Sequence, residues 1–225
     1  MNHFYENCTL TSHHTPTDEF DDYINVIKNG FSTGNLVTDV KFDRIFTSLV
    51  AKSSSVHWTS VDVAVLSFDL LDLEEGTRIL DVGSGSGKYC LIGGLYTKAH
   101  FTGIEQRQNL AEMANQLANK FELPNVSFLS GDALAHDWVD FDVIYLFNPF
   151  YENVMPAGLR IDLETKVSYK RYKNNIMATL GKLSKLKVGT RVITYYGFGG
   201  KMPDNFKLIK SMPVGCSRIE IWLKT

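Results

Sequence analysis

Arg78 to Cys90 reads R-I-L-D-V-G-S-G-S-G-K-Y-C, and few folds accommodate such a stretch. Ile79, Leu80 and Val82 form a short apolar run of the kind expected of a buried parallel strand. The run stops at Gly83, Gly85 and Gly87, and apolar residues resume at Tyr89, Leu91, Ile92 and Leu95, which predicts a helix starting near Gly87. A strand, a glycine turn and a helix N-terminus bring free backbone N–H groups and the positive end of a helix dipole to one spot. Glycine suits that turn because the chain there visits strained dihedrals and a ligand must approach the main chain closely. The stretch is expected to be a nucleotide- or cofactor-binding turn.

What the stretch lacks narrows the ligand. A phosphate-cradling G-x-x-x-x-G-K-[ST] loop aligned on Gly87-Lys88 requires glycine at Val82 and a hydroxyl residue at Tyr89. A dinucleotide G-x-G-x-x-G aligned on Gly83 and Gly85 requires glycine at Lys88. What remains is L-D-V-G-S-G-S-G, with Asp81 two residues before the first glycine. An acid facing the turn repels a pyrophosphate and suits a ligand whose nearby end is cationic or zwitterionic. The stretch resembles the first motif of class I S-adenosylmethionine (SAM) dependent methyltransferases. That resemblance implies SAM as cofactor, with Gly83, Ser84, Gly85 and Gly87 around its methionine part and Asp81 near its amino group. It also implies a Rossmann-like, mostly parallel seven-stranded sheet with helices on both faces and an antiparallel C-terminal strand.

The chain has 225 residues, enough for one sizeable α/β domain with a small extension. A net charge of −2 gives no whole-protein argument for nucleic acid or membrane binding. Cys8, Cys90 and Cys216 have no C-x-x-C spacing, which argues against a disulfide framework or a structural zinc site, and no metal is expected. No apolar run approaches the ~20 residues of a membrane span. The start, M-N-H-F-Y-E-N-C, has neither a basic segment nor an apolar core of a signal peptide, so a cytoplasmic protein is expected.

Residues 1–57 read as an N-terminal helical extension and 58–225 as the SAM-binding domain. Asp18, Glu19, Asp21 and Asp22 start a helix expected to end at Asn29-Gly30, and Asp39 to Val50 suggests a second amphipathic helix. His3, His13 and His14 read as solvated polar residues, since no i, i+4 spacing or nearby carboxylate set supports a metal. Thr59 and Asp62 have capping-box spacing ahead of an apolar helix from Val61 to Leu71. The same segment, placed just before the glycine strand, is expected to cover the cofactor, with Trp58 or the hydroxyl of Thr59 near its carboxylate.

Further along, Phe101 to Glu105 is a second strand ending in an acid. Glu105 lies ~20 residues beyond the glycines, where a carboxylate accepts from ribose hydroxyls; Gln106 follows it. Arg107 to Phe121 is an amphipathic helix and Val126 to Leu129 a third strand, followed by Gly131-Asp132-Ala133. In the family a G-D pair here sits beside the adenine; the alternative is that Asp132 caps the next short helix.

Phe141 to Phe147 is the fourth strand, with Asn148-Pro149-Phe150-Tyr151 beyond its C-terminal end, where open α/β sheets bind ligands. N-P-F-Y resembles the [DN]-P-P-[YF] motif of amine-directed methyltransferases but lacks its second proline. The resemblance gives Asn148, Pro149 and Tyr151 a place at the methyl group; an Asx-Pro turn with packed aromatics is the other reading. Glu164 to Lys187 reads as a long helix whose lysines either form a solvated face or track a phosphate backbone. Strands from Arg191 to Tyr196, Phe206 to Ile209 and Ser217 to Leu223 close the chain.

From Trp58 to Thr225 the chain is similar to class I SAM methyltransferases, with weaker similarity to the non-SET histone lysine methyltransferases. The implied activity is methyl transfer to an acceptor, an amine nitrogen of protein lysine, nucleic-acid base or small molecule. A SAM-binding protein without turnover and an NAD-type oxidoreductase on a similar sheet are the rivals. The acceptor and the oligomeric state are not readable from the sequence.

Overall fold

The computed structural model describes residues 17–35 and 37–225; His3, His13, His14 and Cys8 lie outside them. Four helices come first: α1 (Thr17–Ser32), α2 (Asp39–Phe42), α3 (Ser48–His57) and α4 (Val61–Leu71). Then β1 (Arg78–Val82), α5 (Lys88–Tyr96), β2 (His100–Glu105), α6 (Gln108–Lys120), β3 (Val126–Ser130) and β4 (Val143–Leu146) alternate. Last come α7 (Tyr169–Ser184), β5 (Arg191–Tyr195), β6 (Phe206–Val214) and β7 (Ser217–Lys224). The strands form one sheet in the order β3-β2-β1-β4-β5-β7-β6, parallel from β3 to β5, with β7 antiparallel to both its neighbours. The order reverses between β1 and β4, so the C-terminal ends of those two strands flank a crevice.

Strand parity builds the two cores. Ile79, Phe101, Val143, Tyr145 and Ile193 face the layer containing α1 to α6, whereas Leu80, Val82, Ile104, Ile144, Leu146 and Val192 face α7 and Trp138. A strand buried on both faces needs apolar residues at successive positions, which is why β4 (V-I-Y-L) reads as a continuous apolar run and β1 as one broken only at Asp81. Asp81 has the parity of Ile79 and therefore points into the first layer. Each fully buried Leu or Ile stabilises the fold by about 1.5–3 kcal/mol.

Residues 17–57 share that first core. Ile24, Ile27, Phe42, Ile45 and Val50 belong to the same apolar cluster as α5 and α6, and Phe42 stacks on Phe121 at a centroid distance of 6.3 Å. The attachment is also ionic. Lys88, 1% exposed on the first turn of α5, places its ammonium 2.5 Å from Asp39 and 2.6 Å from Asp43, and donates to Ser54 at 3.1 Å.

Several boundaries differ from the sequence expectation, each for a tertiary reason. α1 runs through Asn29-Gly30 to Ser32; a Cβ on Gly30 would lie 2.5 Å from Val37, so that glycine admits the following loop instead of ending the helix. The helix expected over Asp39 to Val50 is broken into α2, a 3-10 turn (Asp43–Ile45) and α3, because Asp39 and Asp43 are both held on Lys88 and Asp39 also accepts from the Val61 N–H at 2.9 Å. Ser60, not Thr59, caps α4 through the Val63 N–H, since the Thr59 hydroxyl is turned inward to Tyr145. α7 starts at Tyr169 and not Glu164: Asp162 accepts from the N–H groups of Glu164 and Thr165, and Ser168 supplies the cap. β6 extends to Val214 and carries Pro213 opposite Arg218, a position an edge strand tolerates.

Replacing Lys88 with Ala leaves Asp39 and Asp43 facing each other beside a closed core. The Lys88→Ala chain is expected to lose about 3 kcal/mol of stability, the lower end for breaking a buried pair because Asp39 keeps contact with water. Urea unfolding followed by circular dichroism measures it.

Candidate cofactor and acceptor site

A cavity of about 930 Å³ opens over the C-terminal ends of β1 to β5, at the upper end of the range for ligand pockets. Gly83 and Gly85 line its floor, both at positive φ (77° and 55°). The Trp58 ring covers the second of them so closely that a Cβ on Gly85 would lie 2.0 Å from it, and the indole N–H donates to Val50 O at 3.2 Å. Pro149 packs over Gly83. Gly87 (φ 78°) serves packing, since a Cβ there would meet Ala114 and Phe128 at 2.7 Å.

The expectation of free N–H groups at the turn is corrected by their partners. Gly83 and Ser84 donate to Ile104 O, Gly87 donates to Ser84 O, and Gly85 donates to the Glu105 carboxylate at 3.0 Å. A buried acid thus already occupies the place where a phosphate-binding turn receives its anion. Glu105 also accepts from the Arg107 N–H at 2.9 Å, and Arg107 continues to Glu152 at 2.6 Å and to Asp162. Burial pushes the Glu105 carboxyl above its ordinary pKa, opposed by Arg107 and the Gly85 N–H.

Of the other expected cofactor residues, Trp58, Gln106, Gly131, Asp132 and Ala133 line the cavity with Glu105. Asp132 does not start a helix; its carboxylate accepts from the Leu134 N–H at 2.9 Å in a turn. Thr59, Asp81, Ser84 and Gly87 do not line it. The Thr59 hydroxyl meets the Tyr145 hydroxyl at 2.5 Å, and a Cβ on Gly103 would lie 2.6 Å from Ser84 Oγ, which puts that hydroxyl beside β2. Asp81 lies beside Cys90, whose Sγ donates to it at 3.5 Å. Burial raises its carboxyl to about 7, with Glu105 adding to the effect and the Cys90 hydrogen bond opposing it. In its place two acids of the N-terminal helices, Asp39 and Asp43, border the cavity.

At the β4 tip, Asn148, Pro149 and Tyr151 all line the cavity. Asn148 has φ 40° and donates its N–H to Gly197 O at 2.8 Å, while its side-chain oxygen is buried without a hydrogen-bond partner. Asn153 lines the cavity with its side-chain oxygen in the same state. Phe147, Tyr195 and Tyr196 form an aromatic wall beside Asn148, with Tyr196 at φ 59°. The strap beyond is pinned by the His57 ring, whose Nε2 lies 2.7 Å from Leu159 O. Sequence reasoning missed Arg107, Asp39, Asp43, Asn153 and Tyr195-Tyr196, which come together only through tertiary contacts.

A doubly wound sheet with a glycine turn after its first strand and an acid at the end of its second defines a Rossmann-like cofactor-binding domain. A family model described as a methyltransferase domain matches residues 73–182. The chain is similar to a probable cobalt-precorrin-6B C(15)-methyltransferase (decarboxylating) of Sulfurisphaera tokodaii, 32% identical over 95 residues, which are 41% of this chain and 50% of that protein. It is also similar to a protein-L-isoaspartate O-methyltransferase of Methanothrix thermoacetophila, 36% identical over 69 residues, 28% of this chain and 31% of that one. It thus spans half or less of the length of these curated relatives. Among solved structures, TrmN from Thermus thermophilus superposes with a TM-score of 0.57 at 21% identity, over 78% of this chain and 52% of that one. An RNA methyltransferase from Salinibacter ruber in complex with S-adenosyl-L-homocysteine gives 0.53 at 19% identity, over 72% of this chain and 90% of that one; both likenesses concern the fold. By fold the chain is of the Rossmann-like class I methyltransferase type, and residues 73–182 match a methyltransferase domain. Among the described residues no helix is long and apolar enough to cross a membrane.

The donor set fits SAM. An acid already on the glycine turn favours a cationic sulfonium over a phosphate, and the Glu105 oxygen facing Gly85 retains a lone pair for a ribose hydroxyl.

Asp81 sets a pH dependence of stability. Its pKa is about 7 in the fold against 3.8 unfolded. The stability it contributes is therefore full below pH 3.8 and falls as pH rises to about 7, by about 1.4 kcal/mol per pH unit. Asp81→Asn removes that loss, so the variant is expected to gain on the parent between pH 5 and 8 in paired urea titrations.

Proposed function

We propose that this protein transfers a methyl group from SAM to a neutral amine nitrogen held against Asn148. SAM, when bound, supplies an electrophilic methyl on a sulfonium. Glu105 holds the ribose, Gly131 to Ala133 border the adenine, and Trp58 closes the glycine turn over the methionine part. Asp39 and Asp43 border the cavity on the N-terminal side, where Asp81 is withdrawn into the core.

The observation that carries the amine reading is the unpartnered oxygen of Asn148. A buried carbonyl oxygen without a donor is costly to keep, and an N–H of the acceptor satisfies it. As the N–C bond forms and the methyl–sulfur bond breaks, releasing the neutral thioether, the nitrogen gains positive charge; an oxygen already accepting its hydrogen stabilises that charge in the transition state, and the proton then leaves to water. A carboxylate acceptor has no hydrogen to give and would face the oxygens of Asn148 and Asn153. A hydroxyl or thiol acceptor needs a base, and of the cavity's acids and imidazole Glu105 and Glu152 are engaged on Arg107, Asp39 and Asp43 on Lys88, Asp132 on the Leu134 N–H and His57 on Leu159. Burial lowers the His57 pKa, so the ring is neutral and its Nε2–H donates to that carbonyl.

Calorimetry with S-adenosyl-L-homocysteine (SAH) and with NAD separates this reading from the oxidoreductase: SAH is expected to bind and NAD is not. Glu105→Ala is expected to weaken SAH by about 1.5–3 kcal/mol, the value of a charged hydrogen-bond acceptor. Asn148→Ala is expected to leave SAH affinity nearly intact while lowering turnover about 10²–10³-fold. Turnover is followed as transfer from methyl-labelled SAM into nucleic acid, peptides and small amines. Label released as methanol by base marks an ester and refutes the amine acceptor, and no label in any class marks a protein that holds SAM without turnover.

A further inference from the structure

The rim of the acceptor half has a composition of its own. From Arg160 to Lys173 the chain carries five cations, Arg160, Lys166, Lys170, Arg171 and Lys173, against two acids, Asp162 and Glu164, within a protein of net charge −2. Asp162 is turned inward to Arg107, and among the described residues none of the five cations is in an ion pair. Lys166, Lys170 and Lys173 are exposed. Thr165, Val167, Arg171 and Asn175 line the cavity, so this basic segment is its edge.

One aromatic ring stands among these charges and two more line the same cavity. Tyr151, Tyr169 and Tyr196 are 48%, 66% and 44% exposed, although a buried tyrosine would stabilise the fold more. Tyr151 and Tyr196 also line the cavity, while Tyr169 stands on the first turn of α7 with the Lys173 ammonium 5.6 Å from its ring. Cations spaced along a groove and ring faces presented to solvent are what an unpaired nucleic-acid strand requires: the cations follow the phosphates and the rings take the bases.

We infer that this rim, formed by residues 160–173 with Tyr151 and Tyr196, binds single-stranded nucleic acid and presents one unstacked base, through its exocyclic amine, to Asn148. The inference rests on the amine-methyltransferase reading and names its acceptor. Charge sign separates it from a lysine acceptor in a basic protein tail, which five cations repel. Base pairing separates it from duplexes, whose amines are already hydrogen-bonded and stacked.

The test uses the full chain and a fluorescein-labelled single-stranded RNA of about 15 nucleotides, with the same sequence as single-stranded DNA, the duplex and a lysine-rich peptide as parallel arms. Anisotropy is read across a salt series, and SAH binding is measured on the same samples by calorimetry. The single strands are expected to bind more tightly than duplex or peptide, and the RNA and DNA arms identify the sugar. Replacing Lys166, Lys170 and Lys173 together with Ala is expected to weaken binding at least tenfold and lower the salt slope by about 2. Tyr169→Ala is expected to weaken it about fivefold or more, both variants keeping the parent's SAH affinity and melting temperature. Equal or tighter binding of peptide or duplex, or wild-type affinity in both variants, overturns the inference. Loss of SAH binding with strand binding intact overturns the cofactor reading instead and leaves the surface standing.

Discussion

The hydrogen bond from the Gly85 N–H to the Glu105 carboxylate fixes the site. It joins the turn after β1 to the tip of β2, and through Arg107 it reaches Glu152 and Asp162 on the strap beyond β4. An Arg fork shared among carboxylates is directional as well as strong, so three separate chain segments are held in one relative geometry. Three acids on one guanidinium also leave the region short of positive charge. A cationic ligand makes up that deficit and an anionic one deepens it, which is how a glycine turn of common shape comes to favour a sulfonium.

The second constraint is the buried Lys88. In a dinucleotide-binding turn that position is glycine, so that helix and strand can pack closely. Here the long side chain leaves the turn on the other side and gathers Asp39, Asp43 and Ser54. The N-terminal helices are thereby attached to the same element that forms the cofactor floor, and Trp58, at their end, reaches over Gly85. The residue that excludes a pyrophosphate-binding loop is also the residue that brings a lid of helices to the cavity.

Much of this was legible in local sequence. The β1 turn, the acid closing β2 and the loop after β4 follow from apolar period, glycine spacing and the rule that ligands sit at strand C-termini. Asp81 shows what parity decides: counting from Ile79 places it on the core side, beside Cys90, Tyr89 and Tyr145, in a buried polar layer. Helix ends were misjudged wherever a distant charge or cap decided them, as at Asp39 and Asp162. Arg107 looked like an ordinary helix start because its three acidic partners lie 2, 45 and 55 residues away along the chain.

Asn148 and Tyr196 are non-glycine residues at positive φ, and they stand side by side at the tips of β4 and β5, joined by the hydrogen bond from the Asn148 N–H to Gly197 O. The glycine loop that follows is wedged against α7, where a Cβ on Gly199 would collide with the Tyr172 hydroxyl at 2.2 Å. None of these contacts involves the turn after β1. The β4–β5 side of the cavity is thus braced against α7 as well as tied to the glycine turn through Pro149 and Arg107, so substitutions at Tyr195 or Tyr196 reshape that side while those two ties stay in place.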